Sequence, residues 1–259
     1  MMLEIQNLSF HYPKKGQMIF SDVSFGIDSG EIVSILGTNG AGKSTLLNCI
    51  VNLYKPSSGN IFIDGNSMAD MRAIDIAKYI GYVPQVHTPA YSYTVLDFVV
   101  MGRTPYIGIL ASPSEDDYSI AEDALREIGI YHLADKPYTE ISGGERQMVT
   151  ISRVLAQQPK VILLDEPTAH LDYGNQLRMV NLVQNLAEKG YAVVMTTHTP
   201  DHVIILNGNI GILDQKGHFI FGKVDEILSD KMLSDLYHIN LKLIYIDEAK
   251  RDTCIAIPI

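Results

Sequence analysis

The chain has 259 residues, 46% of them hydrophobic and 19% charged, which suits a folded protein with ample core and excludes a fibrous or disordered one. Thirty acidic against twenty basic residues give a formal charge of -10, which argues against a broad electrostatic surface for nucleic acid. Two cysteines, Cys49 and Cys254, are too few and too far apart for a metal knuckle or a disulfide framework, and a reducing compartment fits them best.

The opening residues, MMLEIQNLSF, alternate apolar and polar and lack the basic flank and apolar core of a signal peptide, so the chain is expected not to be secreted. Alternation continues over residues 3–27, divided by turn residues 13–16, and predicts an antiparallel flank. Short, almost wholly apolar runs at 32–36, 79–83, 161–164 and 192–196 predict strands covered on both faces, the mark of a largely parallel sheet in an α/β protein.

The first of these runs leads into Gly37, Thr38, Asn39, Gly40, Ala41, Gly42, Lys43 and Ser44, followed by a helical stretch from Thr45. This is the full G-x-x-x-x-G-K-[ST] pattern in strand-loop-helix context. Its glycines let backbone N–H groups turn inward around phosphate oxygens, and the helix start adds its positive end. Lys43 is expected to reach the β- and γ-phosphates and Ser44 to ligate Mg²⁺. The fold expected is therefore a P-loop NTPase core with a mostly parallel sheet, an antiparallel β flank and an inserted helical subdomain.

That insertion is read between Gln85 and Thr150. Helices are predicted at 94–101, opened by a Thr94-x-x-Asp97 capping box, at 114–128 and at 143–157, with Pro84 and residues 87–90 as a hinge. The run 161–164 ends in Asp165 and Glu166. Paired carboxylates at the end of a buried strand fit a site facing a cation or a reacting water, so Asp165 is assigned to Mg²⁺ through water and Glu166 to polarising the attacking water. Taken alone, the pair also fits a solvated strand end. Beyond Gly208, strand signals at 210–213 and 218–221 and two short helical patterns follow. The division expected is an ATPase domain over 1–240, with core 1–84 and 158–240 and helical subdomain 85–157, then a short tail over 241–259. No stretch reaches the eighteen or so apolar residues of a membrane-spanning helix; any membrane segment is left to a partner.

The stretch ISGGERQ, residues 141–147, places Ser142, Gly143 and Gly144 before a second helix. One γ-phosphate is not easily met by two helix starts of one chain when the first occupies its near side. The second is therefore assigned to a neighbour's nucleotide, in a site shared head to tail by two copies. By itself Ser-Gly-Gly also reads as a plain helix cap.

Together, GTNGAGKST, ISGGERQ, ILLDEPTAHLD and TTH resemble the ATP-binding subunit of ABC transporters over about residues 2–240, in that family's motif order. The resemblance implies ATP and Mg²⁺ as ligands and adds four residues. Tyr12 matches the aromatic that stacks on adenine, Gln85 the glutamine linking Mg²⁺ and water to the helical subdomain, His198 the switch histidine on the γ-phosphate, and Asp172 the loop that communicates between sites. Each of the first three has a plainer alternative: packing for Tyr12, a turn beside Pro84 for Gln85, and a helix cap or satisfied strand end for His198. Ile141 and Glu145 stand where the commonest family form has Leu and Gln. His198 is followed by Thr199-Pro200-Asp201 instead of an immediate aspartate, which leaves its orienting partner open. Arg146 and Arg153 read equally as surface salt-bridge formers or coupling residues, and His11, His87 and His132 show no ligand spacing.

Residues 93–106 (YTVLDFVVMGRTPY), KPYTEISGGERQ and EPTAHLD resemble ATPases of importers for metal chelates (iron-siderophores, haem or cobalamin), with a related branch for molybdate or tungstate. The resemblance implies a second copy of the chain, a pair of integral membrane permease subunits and, through them, an extracytoplasmic substrate-binding protein, with the ATPase peripheral on the cytoplasmic face of the membrane. No nucleic acid is expected. Tyr91, Tyr93, Phe98 and Tyr106 are candidates either for the permease-docking surface or for the insertion core. A soluble ABC ATPase acting on nucleic acid or a protein assembly is the rival of another class. A P-loop kinase ranks last because it leaves ISGGERQ and His198 without work.

Overall fold

The strand at Ile32–Leu36 (β3) is buried at every position, and such a strand must be paired on both edges and covered on both faces. A computed structural model, which describes residues 1–13, 16–85, 92–108, 110–169 and 171–257, shows how this is done. β3 lies in a six-stranded sheet with β6 (Ile80–Val83), β7 (Val161–Leu164), β8 (Ala192–Thr197), β9 (Asn209–Leu213) and β10 (Phe219–Lys223), in the order β10-β9-β3-β8-β7-β6. The pairs β3–β8, β3–β9, β6–β7 and β7–β8 are parallel, and only β10 runs antiparallel, at one edge.

Parallel pairing has a direct consequence for chemistry. The carboxyl ends of β3, β6, β7 and β8 all open at one edge of the sheet, where α/β proteins place their ligands. Gly37, Gln85, the Asp165–Glu166 pair and His198 follow those four strand ends.

The antiparallel flank is formed by β1 (Leu3–His11) and β2 (Met18–Ile27), joined by β4 (Ser58–Ile63) and β5 (Asn66–Ser67) in the order β2-β1-β4-β5. Helix α1 (Lys43–Ile50) buries Leu46, Leu47, Cys49 and Ile50 in a cluster that includes the inner faces of both sheets, among them Leu3, Phe20, Val33 and Val194. The phosphate loop is thus fixed between two rigid layers.

Helix α2 (Ala73–Tyr79) precedes β6; Tyr79, expected to open that strand, instead closes the helix. The insertion contains α3 (Val95–Val100), continued by a 3-10 turn over Met101–Tyr106, then α4 (Glu115–Ile128) and α5 (Gly143–Ala156). Thr94 caps α3 by accepting the Asp97 N–H at 3.0 Å, but Asp97 binds the Thr94 hydroxyl at 2.6 Å, so the reciprocal arm of the expected box is a side-chain contact. Ser114 and Asp117 form a full capping box on α4. These helices share one buried cluster with the sheet: Val99, Leu125, Val149 and Ile151 pack in the same core as Val83, Ile162, Leu164, Val193 and Met195. Of the hinge expected around Pro84, residues 87–90 lie outside the described residues, as does Tyr91.

Helix α6 (Tyr173–Glu188) covers the other side of that core through Met179, Val180 and Val183, and α7 (Pro200–Leu206) follows β8. Beyond β10 come α8 (Val224–Ile227) and α9 (Asp230–Tyr237). Most of the stretch read as a tail forms a hairpin, β11 (Leu241–Ile246) antiparallel to β12 (Arg251–Ala256), packed on α9 and α7. Among the described residues no helix is long and apolar enough to cross a membrane.

Candidate nucleotide site

The loop after β3 depends on backbone that only glycine adopts freely. Gly40 has φ of 82° and Gly42, the residue before α1, has φ of 104°; a Cβ on Gly42 would stand 2.7 Å from Cγ2 of Ile19. Lys43 is buried, and its ammonium donates to the Gly37 carbonyl at 2.7 Å and the Thr38 carbonyl at 3.1 Å. Its charge is met by Glu166 Oε1 at 2.9 Å. Around this pair opens a cavity of about 370 Å³ lined by Tyr12, Ile19, Asn39, Gly40, Gly42, Lys43, Ser44, Thr45, Gln85 and Glu166.

Glu166 is the hub of the edge. Its second oxygen, Oε2, accepts from Gln85 Nε2 at 3.2 Å and lies 3.1 Å from His198 Nδ1. Burial pushes its carboxyl up, but the hydrogen bond and charge of Lys43, together with His198, outweigh burial and hold it below the ordinary carboxylate value. The residue sits at φ of 45°, a left-handed backbone that costs a non-glycine residue about 1–3 kcal/mol and persists where the surroundings fix it. The fixing group is Thr196 Oγ1, which accepts the Glu166 N–H at 2.8 Å and donates to Asp165 Oδ1 at 2.8 Å. Asp165 Oδ2 takes the Tyr82 hydroxyl at 3.3 Å. Burial, with Asp165 beside it, pushes the Tyr82 phenol well up, so it stays a donor.

Ser44, Gln85 and Asp165 offer oxygen donors, the hard ligands that suit Mg²⁺ when phosphates and water complete its shell. Among the described residues no group of three or more His, Cys, Asp or Glu forms an all-protein metal cage. The residues present therefore fit an ion that arrives with its nucleotide.

Tyr12 packs on the antiparallel flank and also lines the cavity. Its ring stands edge-on to Phe10 at 5.0 Å and to Tyr54 at 6.1 Å, and its hydroxyl lies 3.2 Å from Thr45 Oγ1 at the mouth of the cavity. Thr38 Oγ1 accepts from Gln215 Nε2 at 3.2 Å, and Ala41 closes the loop with an N–H bond to the Thr38 carbonyl.

Ser142, Gly144 and Asp172 lie elsewhere. Ser142 caps α5 in a full capping box: its hydroxyl accepts the Glu145 N–H at 3.3 Å and its own N–H donates to Glu145 Oε2 at 2.7 Å. Those bonds to Ser142 outweigh burial and draw the Glu145 carboxyl below its usual range. Ser142 and Gly144 line a separate cavity of about 510 Å³ with Leu171, Asn175 and Arg178, which has no lining residue in common with the Lys43 cavity. Gly143 is the first residue of α5 and has no atom within 4 Å of where a Cβ would stand. Asp172 caps α6 through the Asn175 N–H at 2.9 Å. His170 lies outside the described residues.

Several groups in or beside the site were not singled out from the sequence. Thr196 and Tyr82 hold Asp165, and His202 packs its Nδ1 3.2 Å from Thr197 Oγ1. Burial lowers the His202 pKa, with Asp201 opposing. Arg103 is buried in the insertion, bonded to Asp117 at 3.1 Å and to the Ala156 carbonyl at 2.9 Å. Only Thr196 carried a signal, as part of the TTH motif.

A glycine-built phosphate loop on the carboxyl edge of a parallel sheet, with its lysine beside a buried Asp-Glu pair, defines a P-loop nucleoside triphosphatase. A family model described as "ABC transporter" matches residues 20–169. The chain belongs to the ABC transporter family, as one of its ATP-binding and ATP-hydrolysing subunits. The molybdate import ATP-binding protein MolC of Haemophilus influenzae is 37% identical over 238 residues, covering 92% of this chain and 88% of that one. A probable iron chelatin transport ATP-binding protein of Helicobacter pylori is 33% identical over 250 residues, 96% and 97% of the two chains. A solved structure described as an inward-facing conformation of a putative metal-chelate type ABC transporter superposes with a TM-score of 0.88 at 33% identity, over 99% of this chain and 98% of that one.

Proposed function

We propose that the chain powers import of a metal chelate of the iron-siderophore, haem or cobalamin type, as a homodimer that closes around two ATP molecules on the cytoplasmic face of a membrane. The observation that carries the shared site is the separation of its two halves. The Lys43 cavity and the Ser142 cavity have no residue in common, so the α5 start of one copy is free to meet a phosphate held by another. The full-length likeness to a metal-chelate type transporter supports the cargo class.

In this reading Lys43 exchanges Glu166 for the β- and γ-phosphates. Tyr12 stacks on adenine, and the N–H groups of Gly143 and Gly144 with Ser142 approach the γ-phosphate from the second copy. Glu166, released from Lys43, accepts hydrogen-bonding from the attacking water and draws its proton, while Gln85 and His198 keep the carboxylate and phosphoryl group in register. Ser44, Gln85 and Asp165 would hold Mg²⁺, which when bound would supply neutralisation of phosphate charge. Asp172, at the start of α6, links the two pockets across the dimer.

Docking to the permease pair is assigned to the apolar groove of about 850 Å³ between α2 and the segment around Tyr93, Met101 and Pro105. Tyr93 is exposed there, Tyr106 is exposed but does not line the groove, and Phe98 is buried and belongs to the core. An extracytoplasmic binding protein delivers cargo on the far side of the permease. The likeness to MolC favours molybdate or tungstate as the second reading. The test is twofold. Sedimentation of the Glu166→Gln protein with Mg-ATP should show a dimer that disappears on adding the Ser142→Arg change, and cells lacking the chain should lose uptake of labelled iron chelate while keeping molybdate uptake. A permanent monomer at saturating ATP removes the shared site; loss of molybdate uptake alone moves the cargo.

A further inference from the structure

The histidine that follows β8, His198, is anchored at both ends of its residue. Its imidazole faces Glu166, and its backbone carbonyl accepts a 2.6 Å hydrogen bond from the hydroxyl of Tyr237, the last residue of α9. The side chain of His198 is itself nearly half exposed, 45%, so packing alone does not hold it in place. Tyr237 rests against a buried cluster in which Leu233 and Leu236 of α9 pack with Val203 of α7 and Leu36, the residue that leads into the phosphate loop. Burial pushes its phenol well up, with Cys254 and Glu166 adding to the effect, so the hydroxyl remains protonated and donates.

A second tether runs beside the first. Asp201 in the first turn of α7 stands where it could be taken for a displaced partner of His198, yet its Oδ1 accepts the Thr253 hydroxyl at 2.7 Å and the Cys254 N–H at 3.0 Å, both from β12. The hairpin is joined to α9 in turn: Ser234 Oγ accepts the Leu241 N–H at 2.9 Å, and Asp230 Oδ1 accepts the Leu243 N–H at 2.8 Å. Helix α9, the hairpin and α7 therefore form one braced unit, and the Tyr237 hydroxyl is the group through which α9 reaches His198.

We propose that Tyr237 is a positioning residue for ATP hydrolysis, acting through the His198 backbone, and that the α9–hairpin unit replaces the adjacent aspartate absent after His198 as the support of that histidine. The inference rests on reading His198 as the group that faces the γ-phosphate. Freed of the hydroxyl, the carbonyl turns and the imidazole leaves its register with Glu166; misplacement of a positioning group slows chemistry more than it weakens binding.

The test uses the full chain. Tyr237→Phe removes only the hydroxyl and should lower kcat about tenfold with KM for ATP changed less than about twofold, since the loss falls on the transition state. The His198 imidazole resonances should shift in the ¹H–¹⁵N spectrum, and combining Tyr237→Phe with His198→Ala should cost nothing beyond His198→Ala alone. Thr253→Val loosens the brace from a site away from the cavity; a smaller loss of kcat with the same resonance shift supports the proposal even if Tyr237→Phe folds poorly. Wild-type kcat in Tyr237→Phe, or an equal fractional loss in the His198→Ala background, overturns it. If His198→Ala itself turns over like the parent, the reading of the switch histidine fails first; if His198→Ala is slow and Tyr237→Phe is not, only the present inference falls.

Discussion

Replacing Glu166 by Gln keeps the size and most of the hydrogen bonding of the side chain but deletes the charge that Lys43 meets at 2.9 Å in a buried setting. Two unit charges about 4 Å apart at an effective dielectric of about 20 attract by about 4 kcal/mol. Much of that offsets the cost of burying both ions, so the net preference of Lys43 for Glu166 is smaller. A phosphate entering the cavity competes with Glu166 for the same ammonium and is also repelled by the carboxylate. Removing that competitor should strengthen ATP binding by about 1–2 kcal/mol, roughly five- to thirtyfold in Kd. The same change removes the group assigned to draw the proton from water, which should lower kcat by about a hundredfold to ten-thousandfold. Equilibrium titration with a fluorescent ATP analogue gives the first quantity and single-turnover hydrolysis the second. Tighter binding with slow chemistry is the expected pair. Weaker binding would refute the competition argument, and a parent-like kcat would refute the assignment of Glu166.

Three further outcomes follow from contacts away from the reacting atoms. Gly102→Ala would press its Cβ onto the Arg153 carbonyl of α5 and should cost about 1–3 kcal/mol, visible as a lower Tm at roughly 2–4 °C per kcal/mol for a domain of this size. Arg103→Ala removes the partner of the partly exposed Asp117 and strands the Ala156 carbonyl, so it should lower the midpoint of denaturant unfolding, while Arg103→Lys recovers only part because it lacks the planar fork. His202, with a pKa held below its usual value by burial, is neutral when folded and protonates more readily when unfolded. Its stabilising contribution is therefore complete above about pH 6.5 and is lost as pH falls through the folded pKa. His202→Gln should flatten the fall in Tm below that pH, and an unchanged slope would contradict the assignment.

What was legible in the sequence was local. Gly37 to Ser44 names its own geometry because positive φ at Gly40 and Gly42 and the helix start at Lys43 are contiguous. Asp165–Glu166 and Ser142–Glu145 likewise announce a strand end and a helix cap within a few residues. Parallel strands were legible because runs such as IVSIL have no polar face. Contacts made by chain reversal were not. Nothing near Lys43 indicates Glu166 as its partner, and nothing near His198 indicates Tyr237. The sequence left the orienting partner of that histidine open, and Asp201 proves to be tied to Thr253 and Cys254. Helix α2 escaped notice because seven residues carry little periodicity and Arg72 supplies no side-chain cap. The hairpin β11–β12 was missed although LKLIYI is rich in strand-forming residues, since its partner strand RDTCIA holds few strong strand signals.

The central claim is that a working pocket needs the Lys43 loop of one copy and the Ser142 turn of another, and mixing two dead variants measures this directly. Lys43→Ala protein and Ser142→Arg protein should each be inactive alone. Random pairing at equal amounts makes half the dimers mixed, and each mixed dimer holds one intact pocket, so about a quarter of the parent ATPase rate should return if the two pockets act independently. Full activity of Ser142→Arg protein on its own, or a Glu166→Gln protein that dimerises on ATP equally well with and without the Ser142→Arg change, would contradict the account.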